Sequence, residues 1–157
     1  MVFVLIAVAI VAATYLFGET LAPVTNDATP SGGIPEQIGL TTLSPSDIAA
    51  YAESAGFSGS DLIAAVAIAL AESGGNPNAY NAETAAGTPH GKGSYGLWQI
   101  YLNAHPEFSG QNLYDPQVNA NAAYEVYLTA SGFMPWSTYK NNAYLNYAAV
   151  AGAAIGA

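Results

Sequence analysis

The chain has 157 residues, with two basic side chains, Lys92 and Lys140, against eleven Asp and Glu, for a net charge of −9. Without clustered cations it cannot displace counterions from a nucleic acid or hold anionic lipid head groups, so both are excluded as partners. It has no Cys, which removes disulfides and thiolate metal sites.

Residues 2–18, VFVLIAVAIVAATYLFG, carry no charge. A helix of that length spans about 25 Å, just short of a bilayer hydrocarbon core of about 30 Å. The expectation is a transmembrane anchor over residues 1–18, in contact with the lipid bilayer. A cleaved signal peptide is the rival reading, but the basic residues that normally precede its apolar run are missing. A buried helix is the third reading. Residues 19–43 hold three Pro and a Gly pair among Thr, Asn and Asp. No hydrophobic period survives there, so a flexible linker is expected.

A mainly α-helical head is expected over residues 44–157. Ser44 or Ser46 can cap a first helix, with Pro45 at its first position if Ser44 is the cap; Gly56 stops it. A second cap in SGSD, residues 58–61, precedes LIAAVAIALAES. Ten of the eleven residues from Asp61 to Ala71 are apolar, which marks the central buried helix of the head. Gly74 and Gly75 supply its left-handed exit. Residues 74–96 are rich in Gly, Pro and Asn and read as a long loop. LWQIYLNA is too short to assign. Asp115-Pro116 caps a further helix whose Val118, Ala122, Val126 and Ala130 mark one face. The segment from Ser137 onward reads as one final helix with a frayed end.

Glu72 stands out in this pattern. A solvated helix end is its plain explanation. Yet the negative end of the helix dipole and the apolar neighbours both disfavour a charged carboxylate there. They favour the protonated form that a general acid needs. Ser73, Asn76, Asn78, Asn81 and Gln99 add neutral donors and acceptors suited to hydroxyl and acetamido groups. Tyr80, Tyr95, Trp98, Trp136, Tyr139 and Tyr144 offer flat faces for sugar rings, or pack in a core. Other signals are weak. GTPHGKGS, residues 87–94, has the wrong spacing for a phosphate loop and no strand before it. His90 and His105 lack a third ligand pattern, so no metal and no cofactor are expected. Ser94 lacks the residues of a nucleophile elbow.

Two stretches, Ala71-Glu72-Ser73-Gly74-Gly75-Asn76-Pro77-Asn78-Ala79 and Gly96-Leu97-Trp98-Gln99-Ile100, occur in order and at a suitable separation. Together they resemble the goose-type-lysozyme-like lytic transglycosylase family, the SLT domain, over roughly residues 46–147. The Trp136-Ser137-Thr138-Tyr139 segment further resembles variants of this domain found in phage particles. The resemblance implies a small lysozyme-like helical domain acting on peptidoglycan glycan strands. It makes Glu72 the catalytic acid and base, with Ser73 orienting it or the substrate. Gln99 lines the cleft and Gly96 allows close backbone approach; Trp98 and Tyr95, from the aromatic faces above rather than from the resemblance, are expected to support the substrate. Tyr139 takes the place of the motif tyrosine that hydrogen-bonds the Glu. That third motif departs from the family, reading Thr138-Tyr139-Lys140 rather than Ala-Tyr-Asn. The implied activity is a lytic transglycosylase. A lysozyme using water is the alternative, as is an inactive structural or glycan-binding protein of the same fold. A second cleft acid for a hydrolase would come from Glu83, Glu107, Asp115 or Glu125. The compact head and single anchor suggest a virion component of a bacteriophage, membrane-anchored and possessing virion proteins as partners. A bacterial inner-membrane enzyme facing the periplasm is the other placement.

Overall fold

The computed structural model describes residues 42–82 and 92–156. The anchor expected at residues 1–18 and nearly all of the linker lie outside the described residues, as do Glu83 and His90. Among the described residues no helix is long and apolar enough to cross a membrane.

The first helix, α1 (Pro45–Ala55), is capped by Ser44. The Asp47 N–H donates to Ser44 Oγ at 3.2 Å, and the Ser44 N–H donates back to the Asp47 carboxylate at 3.2 Å. Two otherwise orphaned helix donors are thereby satisfied, with Pro45 in the one position that needs no N–H. Leu43, expected in the linker, belongs to the folded head. Its side chain is buried, and its N–H donates to the Gly75 carbonyl at 2.7 Å.

The central helix is α2 (Gly59–Ser73). Six consecutive residues, Ala65 to Leu70, are buried, so the helix is enclosed on every side through its middle turns. It packs against α1, the short helix α4 (Ser137–Lys140) and the C-terminal helix α5 (Ala148–Ala154). Each large apolar side chain buried in this way contributes about 1.5–3 kcal/mol. The Ser58 cap makes no side-chain bond, so burial rather than capping holds this helix.

Part of the stretch read as loop is a sheet. β1 (Tyr80–Asn81), β2 (Ser94–Tyr95) and β3 (Ile100–Tyr101) pair antiparallel in the order β1-β2-β3. The register places Asn81 opposite Ser94 and Ser94 opposite Tyr101, with Tyr80, Tyr95 and Ile100 aligned in the neighbouring row. Strands of two residues are too short to show an alternating pattern, and so the sequence reads as loop.

The next long helix, α3 (Pro116–Ala130), is capped by Asp115, whose carboxylate accepts from Gln117 N–H (2.9 Å) and Val118 N–H (3.0 Å). Its buried face is Asn119, Ala120, Ala122, Ala123 and Val126. That face is rotated from the expected one: Val118 is half-buried and Ala130 is exposed. The rotation brings a polar side chain, Asn119, into the core.

The single final helix expected after residue 136 is instead three short pieces: α4, a 3₁₀ turn (Ala143–Tyr147) and α5. Asn142 breaks the run in the left-handed region at φ 63°, and the Asn141 side chain accepts from the Ala143 N–H at 2.9 Å. Asn tolerates that conformation and competes locally for backbone bonds. An aromatic cluster fixes the segment. Phe133 lies between Phe57 (5.8 Å between ring centroids), Tyr127 (4.7 Å) and Tyr139 (5.5 Å), and Tyr139 stacks on Tyr144 (4.9 Å).

Candidate active site

Glu72 is the penultimate residue of α2, half-buried at the helix exit. Gly74 leaves the helix in the left-handed conformation, φ 62°. Ser73 serves the exit: its hydroxyl donates to the Ala69 carbonyl at 2.9 Å and accepts from the Gly75 N–H at 3.2 Å. The next turn is packed tightly against the start of the head, where a Cβ at Gly75 would meet the Leu43 carbonyl at 2.8 Å. These contacts fix the direction in which the Glu72 side chain leaves the helix.

It leaves into a cavity of about 350 Å³. Across the cavity stands one face of the sheet, with Asn81, Ser94 and Tyr101 as its lining residues. Directly paired residues share a face, so their neighbours Tyr80, Tyr95 and Ile100 point to the other side. Gln99 comes from the tight turn between β2 and β3, and Pro135, Trp136 and Ser137 come from the segment leading into α4. Gln99, Tyr101, Pro135 and Trp136 also border a second cavity of about 230 Å³ that continues toward His105. The groove is therefore elongated.

Gln99 adopts a left-handed backbone conformation, φ 47°. Its amide nitrogen donates to the carbonyls of Gly96 (2.9 Å) and Ala79 (3.3 Å). The nitrogen is committed to the turn, so its amide oxygen is the group left to accept a bond from a ligand. Behind the turn, Asn119 of α3 is fully buried and satisfied. Its Oδ1 accepts from the Trp98 N–H at 2.9 Å, and its Nδ2 donates to the carbonyls of Tyr95 (2.9 Å) and Leu113 (3.0 Å).

The sequence-derived candidates separate on this geometry. Glu72 and Gln99 line the cavity. Trp98 is fully buried, and its indole N–H donates to the Ala65 carbonyl in α2 at 2.9 Å. It is a core residue rather than a sugar platform. Gly96 is required for packing: at φ 73° a Cβ would lie 2.3 Å from the Leu113 carbonyl and 2.4 Å from Asn119 Nδ2. Tyr95 sits on the other sheet face, between Tyr80 (4.9 Å) and Tyr114 (5.5 Å). Burial, followed by the neighbouring Tyr80 and Tyr114, holds its phenol above the usual range. Ser73 serves the helix exit. Tyr139 lies in the aromatic cluster, and the hydrogen bond that the resemblance assigned to it is made by its neighbour: Thr138 Oγ1 donates to Glu72 Oε1 at 2.7 Å.

Sequence reasoning missed Ser94, Tyr101, Pro135 and Ser137 as groove residues, and Thr138 as the hydrogen-bond partner of Glu72. Asn81 and Trp136 were only two among several polar and aromatic candidates. Trp136 is buried and lines the groove, while its indole N–H donates to the Trp98 carbonyl at 2.8 Å. No local pattern marks these residues, because strand pairing and the placement of α4 bring them to the groove. Among the described residues no group of His, Asp and Glu is arranged to hold a metal ion.

A buried helix that ends in a half-buried carboxylate, facing a short three-stranded sheet across an elongated groove, defines a small, mainly helical, lysozyme-like domain. The family comparison agrees. A family model described as a lysozyme-like domain matches residues 49–138, more than half of the chain, and the chain belongs to that family. The matched segment runs from α1 to Thr138 and includes both Glu72 and Gln99. Membership supports an enzyme of the peptidoglycan-cleaving kind, with glycan strands as substrate. Comparison with curated proteins and with solved structures returned no match.

Proposed function

We propose that the chain is a lytic transglycosylase that cleaves the β-1,4 bond between N-acetylmuramic acid and N-acetylglucosamine with Glu72 alone. The observation that carries this reading is the acid inventory of the cavity. Among the described residues lining it, Glu72 is the only carboxylate. A two-carboxylate glycosidase needs a second acid across the scissile bond; of the four acids considered for that part, Glu107, Asp115 and Glu125 are outside this lining, and Glu83 lies outside the described residues.

Protonated Glu72 donates its proton to the glycosidic oxygen, and the bond from that oxygen to the muramyl C1 breaks. The substrate's own acetamido oxygen stabilises the cationic carbon. The Glu72 carboxylate then takes the proton of the muramyl C6 hydroxyl, whose oxygen closes on C1. The products are a 1,6-anhydromuramyl end and a free N-acetylglucosamine 4-hydroxyl. Glu72 regains its proton, and no water is consumed. The Gln99 amide oxygen is suited to accept from a sugar hydroxyl or an acetamido N–H, and the exposed part of Trp136 offers an apolar wall.

The test is to incubate the full chain with purified peptidoglycan and weigh the released fragments by mass spectrometry. Anhydro-muropeptides are the expected products. Reducing ends would assign a lysozyme, and no release at all would remove both enzyme readings. In the same proposal residues 1–18 tether the head to a membrane, as a component of a phage particle that opens the wall. Extraction of the chain from membranes by alkaline carbonate would refute the tether.

A further inference from the structure

We infer that Thr138 is the positioning residue for Glu72, and that by holding Oε1 it leaves Oε2 as the oxygen that exchanges protons with the substrate. This rests on the proposed single-carboxylate function. The Thr138 hydroxyl donates to Glu72 Oε1 at 2.7 Å in a part-buried setting. It is the only hydrogen bond to the Glu72 carboxylate among the described residues.

The fold explains why a threonine in a four-residue helix can be held this firmly. At one end of α4, Trp136 is buried, and its indole is bonded to the Trp98 carbonyl in the turn that also carries Gln99. On another side, Tyr139 packs between Phe133 and Tyr144. The Lys140 N–H donates to the Trp136 carbonyl at 3.2 Å, closing the single helical turn. Thr138 lies between these two anchors. The tyrosine therefore acts through the aromatic cluster, while the residue before it contacts the acid.

The arrangement suits a carboxyl that must give and regain one proton. With Oε1 accepting from Thr138, the proton of the neutral acid resides on Oε2. It passes from Oε2 to the glycosidic oxygen, and the proton of the C6 hydroxyl later returns to Oε2. The Thr138 bond to Oε1 persists through both transfers, so the carboxyl group need not rotate between them. A carboxylate released from this bond samples several rotamers, and a misplaced reacting atom lowers turnover more than binding.

The test compares Thr138→Val, Thr138→Ala, Thr138→Ser and Tyr139→Phe in the full chain, reading kcat and KM for release of muropeptides. Both variants lacking the hydroxyl are expected to lose about 10- to 100-fold in kcat, the range of a hydrogen bond to a charged group. Their KM should stay within about twofold, since substrate binding is untouched. Thr138→Ser should recover most of the loss, and Tyr139→Phe should be milder than Thr138→Val. Three results would overturn the inference: unchanged kcat in both Val and Ala variants, no rescue by Ser, or a loss in Tyr139→Phe as large as in Thr138→Val. Wild-type chain that releases nothing removes the proposed function itself, which distinguishes the two failures.

Discussion

Replacing Asn119 by Ala should be the most damaging polar substitution in the head. Asn119 is fully buried and makes three hydrogen bonds, to the Trp98 N–H and to the Tyr95 and Leu113 carbonyls. The bonds to Trp98 and Leu113 are themselves buried. Stripping a buried donor or acceptor of its partner costs about 1–3 kcal/mol, so these two groups alone give about 2–6 kcal/mol. A domain of this size is stable by about 5–15 kcal/mol in total. The effect should therefore be a large shift of the urea midpoint. The chain's two tryptophans, Trp98 and Trp136, are both buried beside the turn that Asn119 holds, so their fluorescence reports its release. Asn119→Asp should be no better, since it keeps an acceptor for Trp98 but turns a carboxylate oxygen toward the Leu113 carbonyl. A loss below about 1 kcal/mol for Asn119→Ala, the net worth of a single ordinary hydrogen bond, would refute the claim that this side chain anchors the turn.

Gly96→Ala should destabilise the same turn, because its Cβ would meet the Leu113 carbonyl at 2.3 Å and the backbone is left-handed; wild-type melting behaviour would contradict the packing role. Glu72→Gln should fold normally, since the Gln oxygen can still accept from Thr138, and should lose about 10²–10⁴-fold in cleavage rate, the usual contribution of a positioned acid–base group. An unfolded Glu72→Gln chain would show a structural role instead. Alkaline stability depends in part on Tyr127, whose hydroxyl donates to Asp61 at 2.6 Å, a bond that raises its phenol above the ordinary value. A raised native value means that the native state holds the proton more tightly. The contribution is therefore complete below about pH 10, the ordinary tyrosine value, and is lost as pH rises through the native value. Tyr127→Phe should lose stability less steeply above that pH, and an unchanged slope in chemical denaturation would count against it.

Much of the helical frame is legible in the residues. Ser44, Pro45 and Asp47 write a cap that needs only local bonds. Asp115 does the same for α3. The apolar run before Glu72 demands a buried helix, because no face of it is suited to water. Glu72 and Gln99 could be singled out because they lie in recognisable motifs. The alanine-rich face of α3 was harder to place, since Ala fits buried and exposed positions alike, and the core-facing Asn119 runs against the apolar pattern.

The groove itself exists only in three dimensions. Strands of two residues carry no readable period, so the face that sets Asn81, Ser94 and Tyr101 opposite Glu72 follows from pairing register alone. Gly96 and Trp98 sit in the motif of Gln99, yet the fold turns the first toward Asn119 and the second into the core. Thr138 and Tyr139 are adjacent in the chain and have separate tasks. Successive residues of a helical turn point in different directions, and here the aromatic cluster takes the tyrosine while the threonine meets the acid. The residues alone carry the helix caps, the family motifs and the odd carboxylate at Glu72. The tertiary structure decided which neighbours the acid has, because hydrogen bonds and packing over 66 residues of separation leave no local trace in the order of amino acids.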